Sequence, residues 1–157
     1  MTHIHKETLI DTPLEKVVEF VRDPHHWNDW YVGLSPAENV TGDGGTGTVV
    51  RHHYQMAGIN FPVTTKITER TEGPKEAVSR MTFEGPITGK QTFVYKAVGD
   101  ERTEVKLDID YTVPGKALGR IADNLLIERL QDKAMEHSLL NMKMMAESNA
   151  FVTATTR

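Results

Sequence analysis

From Thr48 to Val113 apolar residues recur at every second position, and short breaks divide the run into five segments. That period belongs to strands with one covered face, because successive side chains of an extended chain point to opposite sides. The strictest segment is TEVKLDIDYTV, where Val105, Leu107, Ile109, Tyr111 and Val113 alternate with Glu104, Lys106, Asp108, Asp110 and Thr112. In the other four, one phase holds Val50, His52, Tyr54 and Met56; then Phe61, Val63, Thr65 and Ile67; then Ala77, Ser79, Met81 and Phe83; then Phe93, Tyr95 and Ala97. The breaks AGIN, TEGPKE, EGPITG and VGDER are rich in glycine and proline. They are hairpin-sized, so the block reads as an antiparallel meander.

The flanks carry the other signals. HIHKETLID reads as a strand with Ile4, Thr8 and Ile10 in phase. DTPLEKVVEFVRD has Leu14, Val17, Val18 and Val21 on one helical stripe. Thr12 is its expected N-cap, with Pro13 at the first helical position and Glu15 completing a capping box. DPHHWNDW opens a second short helix. Residues 32–48 contain Gly33, Gly42, Gly44, Gly45 and Gly47 and read as loop, with 32–47 the natural moving part of the chain. After VPG the period returns to 3.6, predicting one helix from 116 to about 147, about 48 Å long. Its apolar stripe drifts from Leu118, Ile121, Ala122, Leu125 and Leu126 toward Ile127, Leu130, Ala134, Met142 and Met145. Residues 149–157 are weakly patterned and are expected to form a loose tail on a single domain spanning 1–148.

Strands and helices are segregated along the chain, which predicts an α+β domain. A curved antiparallel sheet would wrap around the long C-terminal helix, with two short helices after the first strand. One helix cannot fill such a concavity from end to end. Large side chains, the short helices as a plug, or a ligand must occupy the remainder.

Composition excludes several functions. The net charge is −4 and no basic cluster stands out, which argues against nucleic-acid binding. There is no cysteine, so disulfides, thiolate metal sites and cysteine nucleophiles are absent. No apolar run reaches the length of a membrane span, and MTHIHKETLI has no apolar signal core. These features predict a cytoplasmic protein. Phosphate-loop, nucleophile-elbow and HExxH motifs are missing.

Three stretches resemble the helix-grip superfamily, which includes START lipid-transfer domains and the polyketide cyclase/dehydrase-like proteins. They are IDTPLEKVVEFVRDP with the tryptophan that follows, GDGGTGTVV, and DYTVPGKALGRIADNLLIERL continuing to HSLLNMKMMAE. The likeness covers about residues 3–147. It implies the helix-grip fold with a cavity between sheet and C-terminal helix. It leaves function open among lipid or quinone binding, aromatic cyclisation and a chaperone-activating role.

Within that frame DPHHWNDWY is the most pointed segment. It holds both tryptophans, Trp27 and Trp30, at i and i+3, so one helical face carries two indoles. They are expected to plug or gate the cavity mouth. His25 and His26 are adjacent and diverge by about 100° on a helix, which is poor geometry for one metal ion. His3 and His5 share the outward phase of the first strand. His52 falls on the inward phase, as a hydrogen-bonded core residue, a polar anchor, or a weak candidate for a catalytic base. Tyr54, Tyr95 and Tyr111 would add phenols to the same wall, and Met81, Phe83, Phe93 and Leu125 would line the rest. His137 lies between the two stripes of the last helix, within reach of cavity or chain end. The expected partner is a lipid, isoprenoid, quinone or polyketide-like aromatic, bound by a monomer or homodimer with no cofactor and no metal. A cyclase or dehydratase using His52, and a protein-interaction module, are the alternatives.

Overall fold

The computed structural model describes residues 1–113 and 124–148. Seven strands form one antiparallel sheet: β1 (Thr2–Ile10), β2 (Asn39–Thr41), β3 (Val49–Met56), β4 (Ile59–Glu72), β5 (Glu76–Glu84), β6 (Thr88–Val98) and β7 (Arg102–Thr112). Their order across the sheet is β1-β7-β6-β5-β4-β3-β2. Strands 3 to 7 therefore follow one another as a meander, and β1 closes the far edge against β7. Helices α1 (Leu14–Arg22) and α2 (Trp27–Trp30), with a 3-10 turn at Pro24–His26 between them, follow β1. Helix α3 (Asn124–Glu147) comes last.

The two-residue period sets the faces as expected. Val50, His52, Tyr54 and Met56 are all buried, as are Val105, Leu107, Ile109 and Tyr111. Met56 pairs with Ile59, so β3 and β4 join through a two-residue turn in which Ala57 has φ 51 and Gly58 φ 80. Two positive φ values match the right-handed twist of the strands, and the first is unusual for alanine.

Three local expectations are corrected. Thr12 does not cap α1, because Pro13 occupies the N-cap without a side-chain bond. The Thr12 hydroxyl is spent instead on Ala146 O at 3.0 Å, tying the start of α1 to the end of α3. The segment 32–48 is not a free loop, since β2 pairs with β3 and Ser35 and Glu38 N–H groups bond His53 and Arg51 carbonyls. Its glycines flank this strand rather than interrupt it. On α3 the buried stripe runs Ile127, Gln131, Met135, Ser138, Leu139, Met142 and Ala146, while Leu130 and Leu126 are exposed. Two polar residues on the packed face displaced the apparent phase of the helix by about one position. Leu118, Ile121, Ala122 and residues 149–157 lie outside the described residues.

Candidate functional site

The short α2 is aimed by its entry. The Asp23 carboxylate accepts the His25 N–H at 2.9 Å, and Pro24 starts the turn, so the helix begins abruptly after α1. Both indoles then face inward and are buried. Trp27 Nε1 donates to Val21 O at 2.9 Å, and its ring lies 6.4 Å from His52. Trp30 stands edge-on to Phe93, with centroids 5.8 Å apart at 88°. Tyr31 stands edge-on to Tyr54 at 6.1 Å, and Phe93 stacks on Tyr95 at 6.0 Å. Helix α3 holds this plug from the other side, since Ser138 Oγ accepts the Val32 N–H at 2.9 Å and Asn141 bonds Trp30 O at 3.3 Å.

A cavity of about 70 Å³ lies beneath the plug. Trp27, Trp30, His52, Tyr54, Met81, Phe83, Phe93, Tyr95 and Tyr111 all line it. Leu125 does not: it sits on the outer side of α3, 56% exposed, a consequence of the same phase error on that helix. A void of this size holds a few waters. An engineered cavity of about 150 Å³ accepts benzene, so anything larger needs side chains or the plug to shift.

The polar groups on the wall are mostly satisfied in pairs. His52 Nε2 lies 2.7 Å from Thr65 Oγ1. Burial pushes the His52 pKa down to about 4, so the imidazole is neutral at neutral pH. Gln131 Nε2 donates to Tyr54 Oη at 3.0 Å, and burial pushes that phenol up to about 12. Tyr31 Oη donates to Gln91 Oε1 at 2.9 Å, and its phenol is likewise raised by burial. Two buried polar atoms on the wall lack a hydrogen-bond partner among the described residues: Trp30 Nε1 and Ser79 Oγ.

Sequence reasoning missed Tyr31, Gln91, Gln131 and Arg70, all of which line the cavity. Arg70 is the least expected. The β4–β5 register slips between Ile67 and Glu69, and this bulge turns Arg70 to the inner face opposite Ser79. The glycine-rich segment holds the slip open: Thr46 Oγ1 accepts the Arg70 N–H at 2.9 Å, and Gly47 N–H bonds Ile67 O at 2.7 Å. A bulge leaves no mark in hydrophobic alternation that ends at Ile67.

The remaining histidines stand outside. His3 and His5 face solvent and bond Asp110 and Asp108 at 2.8 Å each. His25, His26 and His137 are exposed. Among the described residues no three histidine or carboxylate side chains are disposed to hold a metal ion.

Known proteins fit this architecture. No curated protein sequence matches the chain. Among solved structures, the Zhui aromatase/cyclase from Streptomyces sp. R1128 aligns with TM-score 0.72 at 19% identity, over 93% of each chain. A START superfamily protein from Mycobacterium smegmatis aligns with TM-score 0.70 at 15% identity, over 92% of this chain and 97% of that one. Norcoclaurine synthase from Thalictrum flavum, in complex with dopamine and hydroxybenzaldehyde, aligns with TM-score 0.60 at 18% identity, over 93% and 87%. At these identities the likeness establishes the fold alone. A family model described as polyketide cyclase / dehydrase and lipid transport matches residues 1–147, and the chain belongs to that family.

Proposed function

We propose that this protein binds a small apolar or amphipathic molecule, such as a lipid, isoprenoid, quinone or polyketide-like aromatic, between the sheet and α3. The observation that carries this reading is the aromatic wall around an unfilled space. Trp27, Trp30, Phe93 and Tyr95 surround a void that their own packing does not close. Apolar burial at about 25 cal/mol per Å² drives binding, less the cost of moving the plug. His52 serves as a polar anchor. A base with a pKa of about 4 accepts protons poorly at neutral pH, so the family's cyclase chemistry is not assigned to it.

An interaction role has one feature in its favour: Leu130, Leu140 and Met144 are exposed on the outer side of α3, interspersed with Lys133 and His137. A titration separates the two readings. Both tryptophans line the cavity, so their emission reports occupancy. Saturable one-to-one quenching by neutral aromatic probes, together with a co-purifying small molecule in native mass spectrometry, supports the binding reading. No saturation with any probe and no adduct would sink it.

A further inference from the structure

Resting on that reading, we infer that one end of the cavity is a subsite for an acidic oxygen, so that the preferred ligand pairs an apolar ring system with a carboxylate-type head. The subsite is one cross-strand row. Arg70 on β4 lies opposite Ser79 on β5, and Ser79 lies opposite Phe93 on β6. Trp30 closes the row from above by its edge contact with Phe93.

Three properties of the row point to an anion. The first is unspent donors. Ser79 Oγ and Trp30 Nε1 are buried without a hydrogen-bond partner among the described residues, at 2% and 3% residue exposure. A buried donor left unpaired is costly, and a ligand oxygen would satisfy it. The second is the guanidinium. The Arg70 side chain is 6% exposed yet uses few of its five N–H donors. Nε donates to Glu72 Oε1 at 3.0 Å, and Nη2 makes a long contact of 3.5 Å to Val18 O. Nη1 has no partner among the described residues.

The third is the charge balance. Glu72 also accepts both oxygens' worth of bonding from Arg22 Nη1 at 2.9 Å, so two guanidiniums share one carboxylate. Asp43 is 4.0 Å from Arg22 and 85% exposed, where solvent screens it. No aspartate or glutamate lines the cavity among the described residues, and His52 is neutral. The wall thus presents an incompletely hydrogen-bonded guanidinium, with no carboxylate facing the cavity among the described residues, at the Arg70 end and an aromatic surface elsewhere. An arginine fork with a neighbouring hydroxyl is suited to a planar carboxylate.

The test compares 2-naphthoate with 2-naphthamide, which share a ring system and differ in charge, by calorimetry at about pH 7.5, where the acid is ionised. Wild-type protein is expected to prefer naphthoate by at least about tenfold, the worth of one charge-assisted hydrogen bond. Arg70→Met removes that preference while naphthamide still binds. Ser79→Ala, which breaks no bond in the folded protein, narrows the preference and remains informative if Arg70→Met fails to fold. Equal affinity for the two probes, or a preference that survives both substitutions, overturns the subsite while leaving the cavity reading intact. If neither probe nor any neutral aromatic saturates the protein, the cavity reading falls and the subsite with it.

Discussion

Acidification weakens this fold through His52, and the size of the effect follows from one side chain. His52 is buried on the inner face of β3, where its one side-chain hydrogen bond among the described residues is to Thr65 Oγ1, and its pKa falls from 6.5 to about 4. A histidine held neutral by burial binds its proton more weakly folded than unfolded. The stability it confers is therefore complete above the unfolded pKa and is lost as pH falls from about 6.5 toward 4. Linkage across that window gives a loss of about 2 kcal/mol between pH 7 and 5, and about 3 kcal/mol by pH 4. His5 works in the opposite direction, because hydrogen bonds donated by its ring to Glu7 and then Asp108 raise its pKa and favour the acid-side fold. The assay must therefore isolate His52. Urea unfolding of wild type and His52→Gln, at pH 7 and at pH 5, does so, since glutamine can still reach Thr65 but does not titrate. Wild type is expected to lose about 2 kcal/mol more than the variant on going to pH 5. Equal losses in the two proteins would refute the burial argument.

The two tryptophans differ in what their N–H groups do, so Trp27→Phe, which breaks the bond to Val21 O, is expected to cost about 1 kcal/mol or more. Trp30→Phe keeps the contact with Phe93 and removes an unpaired buried donor, so it is expected to be the milder change, and urea midpoints rank the pair. Gly44 has φ +94, and an added Cβ would stand 2.6 Å from Arg22 O. Gly44→Ala should thus destabilise by about 2 kcal/mol or more in thermal melts, by strain and by forcing the glycine-rich segment off α1. Ala57 has φ 51 in a two-residue hairpin turn, and Ala57→Asn is expected to raise stability by up to about 1 kcal/mol.

The order of elements was legible because the sheet has one wet and one covered face, and Val105, Leu107, Ile109 and Tyr111 announce that division without ambiguity. The same parity placed His52 and three tyrosines on the inner wall. Three things were hidden for physical reasons. Strand β2 is three residues long, too short for a period to show. The α3 phase was blurred because Gln131 and Ser138 face the core to bond Tyr54 and Val32, which put Leu125 on the wrong side. Arg70 was invisible because its inward turn comes from one extra residue in β4, and a slip of one residue exchanges the faces of a strand.

The proposed function requires that the space under Trp27 and Trp30 admit a ligand. A matched titration of wild type and Ser79→Phe with one neutral aromatic probe tests it most directly, because the added ring occupies the void while both reporter indoles remain. Wild type is expected to show saturable quenching that disappears in a folded Ser79→Phe variant. Equal quenching of both proteins would contradict it, since the probe would then be bound somewhere else.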